Sequence, residues 1–275
     1  MIIDKEFLRV TQEAFSPYCP YSGTENVAFL LYSMVRMIRP RVVVEYGSGY
    51  TTLFILAALA ENTADSKVES ALLREKTELL GDLNTLNLSS ENPAFTAWLE
   101  KQDKSCCVDP GYYLDLKPSH LYSFEEKGED DEYSRRMTSA VEALDLSQWF
   151  SHVHGSGFSI DSLPPGARPV DLAWNDALHY KEFFEAFWPI LNPKGGLMIF
   201  HNTVARKYSW DAIQWMWAKR SLAKDMEVVT LPEIHKLNQN SCTILRRTTA
   251  YQPPCLTRHP EEILHNAVRF MENQE

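Results

Sequence analysis

Apolar residues Val27, Leu30, Leu31, Met34, Val35 and Ile38 recur at helical intervals and stop before Pro40. Ser22 and Glu25 precede them at the spacing of a capping box, which predicts a helix opening there. The period then changes. Val42-Val43-Val44 is a β-branched run that ends in Glu45-Tyr46-Gly47-Ser48-Gly49, and Thr51 to Ala60 returns to helical character. Strand, glycine turn and helix follow one another. The alternation resumes with Leu121 to Phe124 as a strand ending at Glu125, a helix around Asp131 to Leu144, and Phe150 to His154 as a strand closed by Gly155. Val170 to Trp174 is a strand that ends at Asn175-Asp176 and precedes a helix around Tyr180 to Leu191. The turn Asn192-Pro193-Lys194-Gly195-Gly196 leads into Leu197 to Phe200, continuously apolar as a buried strand is.

Strands alternating with helices imply an α/β fold with a doubly wound, mostly parallel sheet. Glu227 to Leu231 and Cys242 to Arg246, separated by the polar loop Pro232 to Ser241, predict an antiparallel strand at one edge. Residues 63–118 interrupt the alternation. They begin with a charged helical stretch opened by Ser66 and Glu69 and end in the irregular Cys106-Cys107-Val108-Asp109-Pro110-Gly111-Tyr112-Tyr113. This is expected to be an inserted helical lid, with a packing elaboration as the alternative. The organisation is one domain over 1–248 carrying that insertion, then a tail, 249–275, with a short helix from Glu261.

Composition narrows the function classes. A chain of 275 residues, 44% hydrophobic, closes one good-sized core. The longest apolar run, Leu53 to Ala60, falls well short of the roughly 20 residues of a membrane helix. The segment Met1 to Val10 carries Asp4, Lys5, Glu6 and Arg9 among its apolar residues, unlike an export signal. Cys19, Cys106, Cys107, Cys242 and Cys255 are an odd number without CxxC spacing, which fits a reducing, cytoplasmic location. A formal charge of -10 opposes a nucleic-acid phosphate backbone. A small-molecule partner is expected instead, with a homodimer as a further possibility.

Gly47 and Gly49 allow a sharp turn and close approach of a ligand. A dinucleotide fingerprint has a third glycine where this chain has Thr52, and Glu45 would repel a pyrophosphate. A carboxylate at that place suits a cationic ligand such as the sulfonium and ammonium of S-adenosylmethionine. Glu125, at the tip of the next strand, is a candidate for the two hydroxyls of a ribose, with Glu126 as its competitor.

The run Arg39 to Thr52, centred on Glu45-Tyr46-Gly47-Ser48-Gly49, resembles the first motif of class I S-adenosylmethionine-dependent methyltransferases. Asp171-Leu172-Ala173-Trp174-Asn175-Asp176-Ala177 and Asn192 to Asn202 are similar, in order, to later motifs of the small-molecule O-methyltransferases. The resemblance covers Ser22 to Asn202 apart from the insertion and implies a seven-stranded sheet. It implies that Glu45, Gly47 and Gly49 line the methionine end of the cofactor, that Glu125 holds the ribose, and that Gly155-Ser156 flank the adenine. At Ser156 the family often has an acidic residue.

Methyl transfer from a sulfonium is an in-line displacement, so the protein aligns the acceptor and removes its proton. Asp176 and His201-Asn202 are expected on the same sheet edge as the glycine turn and are the catalytic candidates. The divalent-metal members of the family resemble this chain at Asp176 and Asn202, with an acidic residue in place of His201. Asp176, His201 and Asn202 could hold manganese, iron or zinc rather than magnesium. Without a metal, His201 or His179 could serve as general base. Asp176 as a helix cap and His201 as a satisfied buried imidazole are the structural alternatives. Trp210, Trp215 and Trp217 fit a substrate wall, the core or an oligomer contact. A hydroxyl acceptor is expected, with an amine acceptor, a nicotinamide oxidoreductase and a non-catalytic scaffold as alternatives.

Overall fold

The computed structural model describes residues 3–18, 23–81, 91–102, 104–114, 116–236, 240–248 and 259–273. Ser22, Cys19 and Cys255, singled out above, lie outside them. The chain divides into two compact units, one of Met1–Glu61 with Ser119–Pro253 and one of Asn62–Pro118 with Pro254–Glu275.

The elements run α1 (Lys5–Ala14), α2 (Glu25–Ile38), β1 (Val42–Tyr46), α3 (Tyr50–Glu78), α4 (Pro93–Glu100), α5 (Pro110–Tyr113), β2 (His120–Glu125), α6 (Glu132–Ala143) and β3 (Phe150–His154). They continue with β4 (Leu172–Asn175), α7 (Tyr180–Phe187), β5 (Leu197–His201), α8 (Lys207–Arg220), β6 (Met226–Pro232), β7 (Ser241–Arg247) and α9 (Pro260–Glu272). The seven strands form one sheet in the order β3-β2-β1-β4-β5-β7-β6. Strands β1 to β5 pair in parallel, whereas β7 runs against both β5 and β6. The order reverses at β1, which places the switch point between β1 and β4.

Strand alternation feeds two cores. Val43, Leu172, Trp174, Leu197 and Ile199 face one core with α1, α2, α3 and α6. Val44, Ala173, Met198 and Phe200, their neighbours in sequence, face the other with α7 and α8. Both faces of the central strands are therefore covered, and their sequences are apolar throughout for that reason. Truncating a side chain such as Phe200, which has no exposed surface, to alanine costs about 3–5 kcal/mol.

Helix α2 begins after Thr24 rather than Ser22 and ends where Arg39 turns left-handed (φ 47) ahead of Pro40. Helix α6 begins as expected, with the Asp131 carboxylate accepting from the Tyr133 amide at 2.9 Å. The Ser66–Glu69 spacing does not open a helix. Residues 61–65 hold neither glycine nor proline, so α3 runs through them for 29 residues, and Ser66 and Glu69 lie buried within it. The chain's opening residues form α1, capped by Asp4, a helix their mixed composition concealed.

In the second unit, Leu73, Leu80, Phe95, Trp98, Tyr113, Leu264, Ala267 and Phe270 make a separate small core. The tail helix α9 is thus part of the same core as the 62–118 segment. The Asp109 carboxylate caps α5 by accepting from the Gly111 amide at 2.8 Å. Lys76 is buried with its ammonium 4.1 Å from the centre of the Trp98 ring.

Candidate active site

The parallel register aligns Tyr46 with Phe124 and with Asn175, and Asn175 with Phe200. The residues that end β1, β2, β4 and β5 therefore gather on one sheet edge: Glu45, Glu125, Asp176 and His201-Asn202.

The glycine turn is held from beneath. The Gly49 amide donates to Thr52 Oγ1 at 2.7 Å, and that hydroxyl donates to Glu45 Oε2 at 2.8 Å. Ser123 donates to the same carboxylate oxygen at 2.6 Å, and Thr51 to Oε1 at 3.4 Å. Glu45 has no exposed surface. Burial pushes its carboxyl up to about 8, despite the hydroxyls of Ser123 and Thr52, and the nearby Asp176 adds to the rise. Glu45 thus clasps the turn through Thr52, the residue that replaces a third glycine. Gly47 adopts a φ of +94°, and a Cβ there would lie 3.4 Å from the Asp176 carbonyl carbon. The Asp176 amide donates to the Tyr46 carbonyl at 3.0 Å, so the end of β4 is bonded to the residue that opens the turn.

The structure separates the two ribose candidates. Glu126 accepts from the Tyr46 hydroxyl at 2.6 Å, whereas half-buried Glu125 accepts only from the Lys127 amide, at 3.2 Å, among the described residues. Gly155 (φ +133°) donates its amide to the Glu125 carbonyl at 3.0 Å. Ser156 beside it is exposed. Gly157, which sequence reasoning missed, has no room for a side chain: a Cβ would come within 2.2 Å of the Tyr46 ring.

At the ends of β4 and β5, a cleft of about 180 Å³ is lined by Asp176, Ala177, Leu178, Tyr180, His201, Asn202, Arg206 and Tyr208. His201 Nδ1 donates to Asp176 Oδ1 at 2.7 Å. The imidazole is 1% exposed and the carboxylate 22% exposed, so Asp176 is the accessible member of the pair. His201 Nε2 and Asn202 Oδ1 are buried and make no hydrogen bond. The Tyr180 hydroxyl donates to the His201 carbonyl at 3.0 Å and fixes the strand end. Asp176 does not cap α7; His179 occupies that position, without a side-chain cap bond.

His179 lies outside the residues that line the cleft. It is exposed in a left-handed conformation (φ 67), its ring packed against Phe158 at 5.7 Å. The suggested metal ligands Asp176, His201 and Asn202 all line this cleft. Asp176 Oδ1 and His201 Nδ1 are bonded to each other, which leaves the second Asp176 oxygen free among the described residues. The groups that remain, that oxygen with His201 Nε2 and Asn202 Oδ1, are not the all-oxygen set magnesium takes.

Sequence reasoning missed Tyr180, which opens α7 after β4, and Arg206 and Tyr208, which carry no motif and join the site because β5 leads into α8. It also missed Lys236, which pairs with Glu25 at 2.9 Å and Glu233 at 3.1 Å. Burial pushes the Glu25 carboxyl up, but Lys236 outweighs it and holds the group below its ordinary value. Of the tryptophans of α8, Trp210 and Trp217 are exposed, while Trp215 packs on Phe184. None of the three lines the cleft.

A family model described as a methyltransferase domain matches residues 44–203, more than half of the 275-residue chain, and the chain belongs to that family. Its fold is shared by solved O-methyltransferases. The TomG O-methyltransferase from Streptomyces achromogenes, involved in tomaymycin synthesis and solved with SAM, is 12% identical over 89% of this chain and 90% of its own, with a TM-score of 0.55. The O-methyltransferase from Bacillus cereus, solved with SAH, is 11% identical over 88% of this chain and 89% of its own, with a TM-score of 0.54. The SAH-bound methyltransferase PaMTH1 from Podospora anserina is 12% identical over 89% of this chain and 88% of its own, also at 0.54. No curated protein matches the chain.

Proposed function

We propose that this protein transfers a methyl group from S-adenosylmethionine to a hydroxyl of a small molecule, with Asp176 as the proton acceptor. The observation that carries this reading is the hydrogen bond from the Asp176 amide to the Tyr46 carbonyl at 3.0 Å, which ties Asp176 to the residue that opens the glycine turn. It puts a cofactor-type turn against an accessible carboxylate that is oriented by a buried imidazole.

The residues present suit the cofactor. Gly47 allows the sharp turn at φ +94°, Glu125 has a carboxylate oxygen left for ribose hydroxyls, and Gly155 opens onto space with nothing within 4 Å of its Cβ position. When bound, S-adenosylmethionine supplies an electrophilic methyl group on a sulfonium. Glu45 keeps the turn in shape, and His201 holds the Asp176 carboxylate towards the cleft by donating from Nδ1. Asp176 takes the proton of the acceptor hydroxyl. The related O-methyltransferases solved with SAM or SAH support the cofactor and the hydroxyl target. The charge of -10 favours a small-molecule acceptor over nucleic acid. Among the described residues, no helix is long and apolar enough to cross a membrane.

Calorimetric titration with S-adenosylhomocysteine, with NADH as control, tests the cofactor assignment without knowledge of the acceptor. Micromolar binding of the first alone, about -8 kcal/mol, is the expected result. Binding of NADH alone would replace this reading with an oxidoreductase.

A further inference from the structure

The cleft beside Asp176 has a second pole. Arg206, the residue before α8, lines it with an exposed guanidinium that makes no hydrogen bond or ion pair among the described residues. Its neighbour Lys207 is occupied by Asp211 at 2.6 Å. Asp176, the acidic residue of the cleft, is not within ion-pair distance of Arg206 and is bonded to His201 instead. In a chain with ten more acidic than basic side chains, an arginine left unpaired beside a carboxylate is held for something else. Between the two poles the walls are Ala177, Leu178, Tyr180 and Tyr208. Tyr208 is 46% exposed, its ring stacked at 6.4 Å and 24° on buried Tyr180, and Leu178 is exposed as well.

Resting on the methyltransferase reading, we infer that the acceptor is a hydroxyaryl carboxylate, whose anionic end is held by Arg206 while its hydroxyl faces Asp176. A guanidinium presents paired N–H donors that match the two oxygens of a carboxylate. The flat, half-exposed Tyr208 ring offers a stacking surface for an aryl group. The cleft, at about 180 Å³, is below the ~300–1,000 Å³ of sites for drug-sized ligands and suits a single substituted ring. Arg206 is thereby a specificity residue: it selects and orients the acceptor and takes no part in moving the proton.

The test uses the full chain saturated with S-adenosylhomocysteine, and two probes, 4-hydroxybenzoate and its uncharged methyl ester, titrated by calorimetry. The carboxylate is expected to bind at least about tenfold more tightly than the ester. In Arg206→Ala that preference disappears through weaker carboxylate binding, and Arg206→Lys keeps part of it. Unchanged S-adenosylhomocysteine affinity in both variants certifies that they are folded. Equal binding of the two probes, no binding of the carboxylate, or a preference that survives in Arg206→Ala overturns the inference while the methyltransferase reading stands. Failure of the wild-type protein to bind S-adenosylhomocysteine removes that reading, and the inference with it.

Discussion

Glu45 and Asp176 stand at the ends of neighbouring parallel strands, and their surroundings treat them in opposite ways. Glu45 is sealed from solvent and accepts from Ser123, Thr52 and Thr51. Asp176 keeps 22% of its side-chain surface and accepts from one buried imidazole. A carboxyl saturated by hydroxyls of its own chain has no capacity left for a substrate proton, whereas one with a free, accessible oxygen does. The difference separates a group that shapes the site from one that works in it. Changing each carboxylate to the matching amide tests that division with the same chemistry on adjacent strands.

Asp176→Asn carries the largest expected effect. Loss of a positioned proton acceptor lowers kcat by about 10²–10⁴-fold, with S-adenosylhomocysteine affinity retained. Steady-state kinetics on any accepted hydroxyl compound, beside calorimetry, reads both. Full turnover would remove Asp176 from the mechanism and erase the contrast with Glu45.

Glu45→Gln is expected to change stability rather than chemistry. Its carboxyl rises from 4.5 to about 8 in the fold, first through burial. The folded protein then holds a proton that the unfolded chain releases, so this contribution to stability is fully present below 4.5 and declines as pH rises from 4.5 to 8. The penalty above that window is on the order of a few kcal/mol. An amide cannot titrate, so the variant should lack this decline and equal or exceed the wild type at pH near 8. Denaturant melts at the two ends of the window measure it; an unchanged slope would show that Glu45 is ionised in the fold.

Gly47→Ala comes next in size. A side chain at φ +94° costs roughly 1–3 kcal/mol, and the turn's shift should weaken S-adenosylhomocysteine binding. Gly128→Ala is the control, because its Cβ position meets nothing within 4 Å. Equal effects at the two positions would mean that the turn imposes no special conformation.

Much of this fold was legible because burial on both faces makes strands β1, β4 and β5 continuously apolar, and because their ends carry glycine or polar residues. The glycine turn, and Asp176 and His201 as candidates on its sheet edge, were legible for the same reason, whereas the bond between the two side chains was not. Thr52 stood in plain view as a missing glycine, but its role as the clasp between Gly49 and Glu45 is a matter of three-dimensional hydrogen bonding. Arg206 and Tyr208 were not legible, since an arginine and a tyrosine at a helix start look like any exposed pair. Ser66 and Glu69 misled because a capping spacing is only meaningful where the preceding chain can break, and α3 has no breaker there. The tail helix gave no sign that it shares a core with residues far upstream, because an amphipathic stripe does not name its partner.

The smallest expected effect probes the far end of the network that holds Glu45. His152 Nε2 lies 3.3 Å from Ser48 Oγ, and Ser123 Oγ lies 3.1 Å from the same hydroxyl while donating to Glu45. Burial, then the neighbouring His154, lowers His152 from 6.5 to about 4. The unfolded chain therefore takes up a proton that the fold refuses, so this contribution is present above 6.5 and is lost as pH falls towards 4. Its sign is opposite to that of Glu45. His152 sits half-buried on β3, an edge strand, so solvent screening holds the effect to about 1 kcal/mol or less. His152→Gln should flatten the acid side of the stability profile by that amount. Combined with Glu45→Gln, it should deviate from additivity, because the shared hydroxyls of Ser48 and Ser123 reorient when either end changes. Strict additivity would show that the clasp on the glycine turn ends at Ser123 and that the histidine is a bystander.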